Sequence, residues 1–278
     1  DLLKSTLAAG AVGAVGSTVF VPLGAQAKAP FAGTQAPGYY RLMVGDVEVT
    51  ALSDGTGQFP IADLYVNTTP EQARLALANA FQGTPTYLSV NAYLLNFGDR
   101  LVLLDAGTSD LMGPSLGKLP ANIIASGYHP DQIDDVVITH IHPDHTGGLT
   151  LGGNKVFRNA TVHVPDADRD FWLSGENKAN APEDAKAFFD QAAASLKPYI
   201  DSNTLETYAP DAPAIPGMVN TTFRPGHTPG HSALWIESNG EKLVYWGDIT
   251  HGDVVQFDEP DVAIAFDVDP DQAIKSRE

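Results

Sequence analysis

The sequence contains no cysteine, which excludes thiolate metal sites, cysteine nucleophiles and disulfide scaffolds. Positive charge is scarce: 16 Lys and Arg stand against 34 Asp and Glu, a formal net charge of −18. A chain so acidic repels phosphate backbones, and no local basic patch offsets this, so nucleic acid is not an expected partner. No internal repeat appears, and no low-complexity block occurs beyond the leader. With 43% hydrophobic and 18% charged residues the balance is that of a globular protein. What is left for metal binding is His, Asp and Glu, and the 8 histidines are unevenly placed.

Charge is absent altogether from Ser5 to Ala27, in a run of Ala, Gly, Val, Ser and Thr. The run is long enough for a membrane span. Gly10, Gly13, Gly16 and Pro22 make it a poor helix, however, and it closes on Ala25-Gln26-Ala27, a small-x-small processing pattern, before Lys28. Asp1-Leu2-Leu3-Lys4 resembles the stretch that follows the arginine pair of a twin-arginine export signal. Residues 1–27 are therefore read as an export signal peptide, incomplete at its start, and the mature protein as periplasmic or secreted with no stable membrane anchor. Residues 28–38 are a Pro/Gly-rich linker, and 39–278 one folded domain. Asp269-Pro270-Asp271-Gln272 predicts a helix start with Asp as cap and Pro in first position. Only about two turns follow it, so the domain is expected to continue past Glu278.

Between the ends, strands alternate with helices. Tyr40 to Ala51 reads as a strand, and Leu88 to Leu104 as a hairpin turning at Gly98-Asp99. Pro120 to Ser126 reads as a short helix closed by Gly127, and Val136 to Thr139 and Thr161 to Val164 as short buried strands. From Asp184 to Leu196, the residues Ala185, Phe188, Phe189, Ala192, Ala193 and Leu196 form one helical stripe. Strands follow at Thr222-Phe223, Ala233 to Glu237 and Leu243 to Trp246. The pattern predicts an α+β fold of two mixed sheets covered by helices.

The chemistry concentrates in Thr139-His140-Ile141-His142-Pro143-Asp144-His145-Thr146-Gly147-Gly148, directly after an apolar strand. Histidines two apart at a strand end point the same way, so His140 and His142 can grip one ion together. Asp144 and His145 turn away after Pro143, suitably for a second ion beside it. Two further loops complete the set: Pro225-Gly226-His227-Thr228-Pro229-Gly230-His231, and Trp246-Gly247-Asp248 after an apolar strand. A nitrogen and oxygen donor set suits zinc, and a carboxylate suits the bridge between two divalent ions.

His-x-His-x-Asp-His, a later Gly-His loop and a later Asp resemble the metallo-β-lactamase superfamily. The resemblance runs from about Tyr40 to Glu278 and implies an αββα sandwich. It implies that His140, His142 and His227 hold a first metal, that Asp144 and His145 hold a second, and that Asp248 bridges them. Asp105, in Leu103-Leu104-Asp105-Ala106-Gly107, matches an Asp that orients a ligand histidine. The family's second metal also takes a histidine from sequence beyond Glu278. Gly38-Tyr39-Tyr40-Arg41, Ala51-Leu52-Ser53-Asp54-Gly55, Asp170-Phe171-Trp172-Leu173-Ser174 and Val255-Gln256-Phe257-Asp258 resemble methyl parathion hydrolase and its lactonase relatives, a group that is exported, binuclear and usually homodimeric. That likeness implies a substrate pocket at Met112, Trp172 and Phe189. His251, three residues after Asp248, stands where the phosphotriesterase members carry an apolar residue, and this favours a lactone or ester.

The expectation is thus a binuclear zinc hydrolase of small molecules in which a hydroxide shared by two ions attacks a lactone or aryl ester, with Asp144 and Asp248 catalytic. Organophosphate triester hydrolysis is the alternative within that site, and an exported zinc-binding protein without turnover the alternative outside catalysis. Of the other histidines, His129 is expected in solvent, His163 as a satisfied core residue, and His231 bracing its loop.

Overall fold

The computed structural model describes residues 29–278, and the signal-peptide reading of residues 1–27 lies outside the described residues. Contacts divide the chain into Asp1–Ala36 and Pro37–Glu278. Among the described residues, no helix is long and apolar enough to cross a membrane. The described part of the linker has no helix or strand.

In the second unit a seven-stranded sheet follows the order of the chain. Strands β1 (Tyr39–Val44) and β2 (Val47–Phe59) form an antiparallel hairpin where one strand was expected, and β2 pairs antiparallel with β3 (Thr86–Asn96). Next come β4 (Leu101–Leu104), β5 (Asp135–Val137), β6 (Thr161–Pro165) and β7 (Leu205–Tyr208). β3 and β4 are antiparallel across the turn at Gly98-Asp99, while β4, β5, β6 and β7 are mutually parallel. Parallel neighbours require crossovers: helix α1 (Leu119–Ala125) lies in that from β4 to β5, and helices α2 (Asp166–Trp172) and α3 (Lys186–Asp201) in that from β6 to β7. A second, antiparallel sheet consists of β8 (Asn220–Phe223), β9 (Ser232–Ser238) and β10 (Glu241–Tyr245).

Strand periodicity explains why the large sheet is buried on both faces. Leu103, Val136 and Val162 point to one side, where they pack with Leu119 and Ile123 of α1 and with Phe189, Leu196 and Tyr199 of α3. Their neighbours Val102, Leu104 and Val137 point to the other side, against Leu234 and Ile236 of β9. Helices therefore cover one face and the small sheet the other. A satellite cluster joins Ile61 and Tyr65 to Leu77, Val255 and Ile264, with Leu77 supplied by a helix over Pro70–Asn79.

The parallel strands all end at the same edge, and the loops leaving them carry the functional candidates. Strand β5 stops at Val137, two residues earlier than expected, and Ile138 to His142 lead from it into a one-turn helix over Pro143–Thr146. Near the end of the chain, Asp269 caps the helix Pro270–Arg277 by accepting from Gln272 N at 3.0 Å, as its sequence predicts. The segment before that helix runs along the His227 loop: Val268 N donates to His227 O at 3.1 Å and Asp269 N to Gly226 O at 2.9 Å.

Candidate metal centre

Four loops converge at this edge. The loop after β5 carries His140, His142, Asp144 and His145, and the loop between β8 and β9 carries His227. The turn after β10 carries Asp248, and the loop after β4 carries Asp105. The loops after β5 and β4 approach closely because of glycine: a Cβ on Gly148 would lie 1.8 Å from Ala106 O, so only a bare backbone can lie against the Asp105 loop there.

The structure brings His140, His142 and His227 together, with one ring nitrogen from each within 4.8 Å of the others. Nδ1 of His142 and Nε2 of His227 are 2.9 Å apart. His140, His145 and Asp248 form a second such group, and His227, Asp248 and His251 a third. Asp248 stands between them with its two oxygens turned to different partners. Oδ2 is 3.5 Å from His227 Nε2 and 3.9 Å from His140 Nε2, whereas Oδ1 is 3.2 Å from His145 Nε2. Asp144 Oδ2 lies 3.5 Å from His145 Nε2. These positions suit one carboxylate shared by two cations.

The ring nitrogens facing away from the centre are fixed. His145 Nδ1 donates to Asp105 Oδ2 at 2.7 Å, and His227 Nδ1 to Asp267 Oδ1 at 2.8 Å. Thr139 gives its only hydroxyl proton to Asp105 at 2.9 Å, so at its 3.0 Å contact with His140 the proton sits on His140 Nδ1. Each of these three rings thereby turns Nε2 to the centre, the arrangement that outer carboxylates commonly impose on metal-binding histidines. His140 Nε2 is buried without any hydrogen-bond partner among the described residues, an orphaned acceptor that a cation would satisfy. Nitrogen and carboxylate donors in this number fit a pair of divalent ions, and zinc among them.

Electrostatics divides the cluster. Burial, together with neighbouring imidazoles, holds His140 and His227 well below the usual histidine range, and burial takes His142 down to about 4. These three are neutral, the form that ligates a metal. On the other side, burial opposes charge on His145, but Asp248, Asp144 and Asp105 outweigh it and raise its imidazole well above the ordinary value. Asp248 is correspondingly held well below the carboxylate range against its burial, by His145 and His251. One half of the centre is thus a neutral nitrogen trio and the other a set of acids that requires a cation.

The centre opens into a cavity of about 840 Å³, lined by Tyr87, Leu88, Met112, Phe188, His251 and Phe266 among others. Met112 and His251 line it, and His251 Nε2 is 3.0 Å from Asp248 Oδ2. Trp172 and Phe189 do not. Phe189 is buried in the core against Trp172, with ring centroids 4.8 Å apart, and the adjacent Phe188 takes the cavity position instead. Trp172 lies behind the centre, its ring 5.3 Å from that of His142. Among the remaining histidines, His129 is exposed, and His163 is buried at 2.8 Å from Asp135 Oδ1. His231 braces its loop through Arg224 O at 3.0 Å and accepts from Asp248 N at 2.9 Å. Asp267, the carboxylate behind His227, carries no local motif. Its one sequence signal is a carboxylate directly after the short apolar run Val262–Phe266.

A family model described as the metallo-beta-lactamase superfamily matches residues 85–278. The crystal structure of hydrolase AbOPH, of the beta lactamase superfamily, superposes with a TM-score of 0.82 at 36% identity, covering 88% of this chain and 85% of that one. AidC, a dizinc quorum-quenching lactonase solved in complex with a product, superposes with a TM-score of 0.76 at 26% identity, covering 86% and 84%. The N-acyl homoserine lactonase AiiA of Bacillus thuringiensis subsp. kurstaki is 28% identical over 170 residues, 54% of this chain and 59% of the relative. The chain therefore spans less than two thirds of the length of the curated relatives it matches.

Proposed function

The chain belongs to the metallo-β-lactamase superfamily, and on that premise we propose that it is an exported, metal-dependent hydrolase of small molecules that opens a lactone or aryl ester. The observation that carries this is Asp248, whose two oxygens address the neutral histidine trio on one side and His145 with Asp144 on the other. Divalent ions bound there would supply an acidified water and a Lewis acid for the oxygen that takes up charge.

The protein's own groups do the rest. His140, His142 and His227 would hold one ion, and His145, Asp144 and Asp248 the other. Asp105 and Asp267 keep the Nδ1 protons in place, so that Nε2 faces inward. Leu88, Phe188 and Phe266 supply an apolar wall for the body of the substrate. A lactone leaves as an alkoxide, which needs a proton. Asp144 lines the cavity as a carboxylate that, against its burial, His145 holds below the ordinary range, and it would take the proton given up by the attacking water and pass it to that oxygen. An aryl phosphotriester leaves as a stabilised phenolate and needs less help. His251 supports the lactone reading, since a hydrogen-bonding imidazole at the cavity wall suits a polar ring better than an aryl phosphotriester. The lactonase names of two of the similar proteins point the same way.

The test is a ratio of kcat/KM values for the zinc-loaded protein, an aryl lactone against a dimethyl aryl phosphotriester. A ratio favouring the lactone is expected. A ratio favouring the phosphotriester would overturn the role given to His251 and make organophosphate triesters the substrate class. Zinc bound without turnover of either would leave the metal centre standing and overturn the substrate class proposed.

A further inference from the structure

Behind the metal centre lies a carboxylate that touches no candidate ligand side chain yet ties both histidine loops together. Asp168 is fully buried in α2. Its Oδ2 accepts from Ile141 N at 2.7 Å and from Thr228 Oγ1 at 2.8 Å, and its Oδ1 accepts from Gly230 N at 2.5 Å. Ile141 lies between His140 and His142. Thr228 follows His227, and Gly230 closes the same loop. The contact is tight: a Cβ on Gly230 would lie 2.7 Å from Asp168 N and 2.9 Å from Asp168 Oδ1. The same short helix ends in Trp172, packed on His142.

We propose that Asp168 is a positioning residue, a clamp that fixes the loop carrying His140 and His142 against the loop carrying His227 and so preforms the three-nitrogen site. The geometry argues for this over a merely structural role, because all three donors belong to residues adjacent to ligands or within the ligand loops, and none to the surrounding core. An amide cannot replace the carboxylate. Asn has one acceptor oxygen and one NH2 group, so in either orientation an N–H faces the N–H of Ile141 or of Gly230. Since both are backbone donors that cannot rotate, one loop is pushed off whichever way the amide turns.

The clamp rests on the metal centre described above, not on the choice of substrate, so its test reads metal directly. Wild-type protein, Asp168→Asn and Thr228→Val are titrated with cobalt(II), following the visible d–d spectrum, and with zinc against a chromophoric chelator. Far-UV CD and thermal unfolding of the metal-free proteins serve as the control for folding. Asp168→Asn is expected to weaken the ion held by His140, His142 and His227 by about 10- to 100-fold, in line with other groups that orient metal ligands, and to alter the cobalt spectrum. Thr228→Val removes one donor of three and is expected to cost a smaller, measurable factor while keeping the fold. A lowered melting temperature with wild-type metal affinity and spectrum in Asp168→Asn would overturn the clamp. Should that variant not fold, unchanged metal binding in Thr228→Val would overturn it equally. Wild-type protein that takes up no metal would overturn the functional reading, and the clamp with it.

Discussion

Asp105→Asn isolates the loop that aims His145. Asp105 has φ +59°, a left-handed conformation that Asn tolerates as well as Asp, so the backbone is not disturbed. What changes is acceptor capacity. Oδ1 accepts from Thr139 N at 2.8 Å, while Oδ2 accepts from Thr139 Oγ1, His145 Nδ1 and Tyr245 Oη at 2.9, 2.7 and 2.8 Å. If the new NH2 group replaces Oδ1, it opposes the Thr139 amide, which cannot rotate. If it replaces Oδ2, the two hydroxyls can turn round but His145 can answer only by moving its proton to Nε2, and that removes the lone pair a metal needs. Either orientation leaves one buried donor opposed, a cost of about 1–3 kcal/mol. Read on the metal side, the loss of such a partner corresponds to about 10- to 100-fold in affinity, or roughly 1.4–2.7 kcal/mol, so the two estimates agree. Competition between the protein and a chromophoric chelator should show the zinc ion held by His145, Asp144 and Asp248 losing affinity by that factor, with a smaller change in the ion held by His140, His142 and His227. Urea unfolding of the metal-free protein should show the stability loss. Two ions bound with wild-type affinity in Asp105→Asn would refute the assignment of His145 as a ligand oriented by Asp105.

Two further outcomes follow from side chains away from the metal. Asp135 is fully buried between Arg100, which donates from Nε and Nη2 at 2.5 and 2.9 Å, and His163. Its burial would raise its pKa, but those hydrogen bonds outweigh burial and hold it below the ordinary 3.8. The stability it contributes is therefore complete above about pH 4, and fades as pH falls through its lowered folded value. Because Arg100 is 43% exposed, Asp135→Asn should cost about 2 kcal/mol near neutrality, between the values for surface and buried pairs. The difference from wild type, read from urea midpoints, should narrow below pH 4; a gap that widens toward low pH would contradict the sign. On α3, Phe189→Ala should cost about 3–5 kcal/mol in stability as a core truncation, whereas Phe188→Ala should raise KM for the preferred substrate with little effect on the melting temperature. The reverse pattern would show that the two rings have been assigned to the wrong sides of the helix.

That pair of phenylalanines also marks where the sequence stops being informative. Successive helical residues differ by about 100° in direction, and both Phe188 and Phe189 lie within one broad apolar stripe. Only the packing of Phe171 and Trp172 against Phe189, with centroids 5.5 and 4.8 Å away, turns Phe188 toward the cavity. The ligands were legible for the opposite reason: four of them fall within six residues after an apolar strand, so their convergence needs no long-range contact to be inferred. The helix Pro70–Asn79 carries a legible start too, the capping box of Thr69 and Gln72 with Pro70 in first position. Only Ala73 and Leu77 are buried along it, however, so its apolar period is faint.

The carboxylates behind the ligands have no such local signature, and the physics of buried acids explains why. A buried carboxylate needs donors for its lone pairs, and in a sheet whose loops meet at one edge those donors come from distant sequence. Asp54 accepts from Thr108 N, Gly117 N and Leu119 N, holding the loop that carries Met112. Asp105 serves His145, Asp168 serves Ile141 and Gly230, and Asp267 serves His227. Asp168 illustrates the difficulty: it sits in Asp166-Ala167-Asp168-Arg169-Asp170, and of these acids only Asp168 is turned fully inward, by the rotation of α2 against the sheet. The ligands are conspicuous because their chemistry demands proximity along the chain. Asp105, Asp168 and Asp267, the acids that aim and clamp them, reach the ligand loops across 27 to 62 residues of sequence. The centre is therefore a local motif held by a non-local frame, and substitutions in that frame should be felt first in metal affinity and geometry, before any ligand is touched.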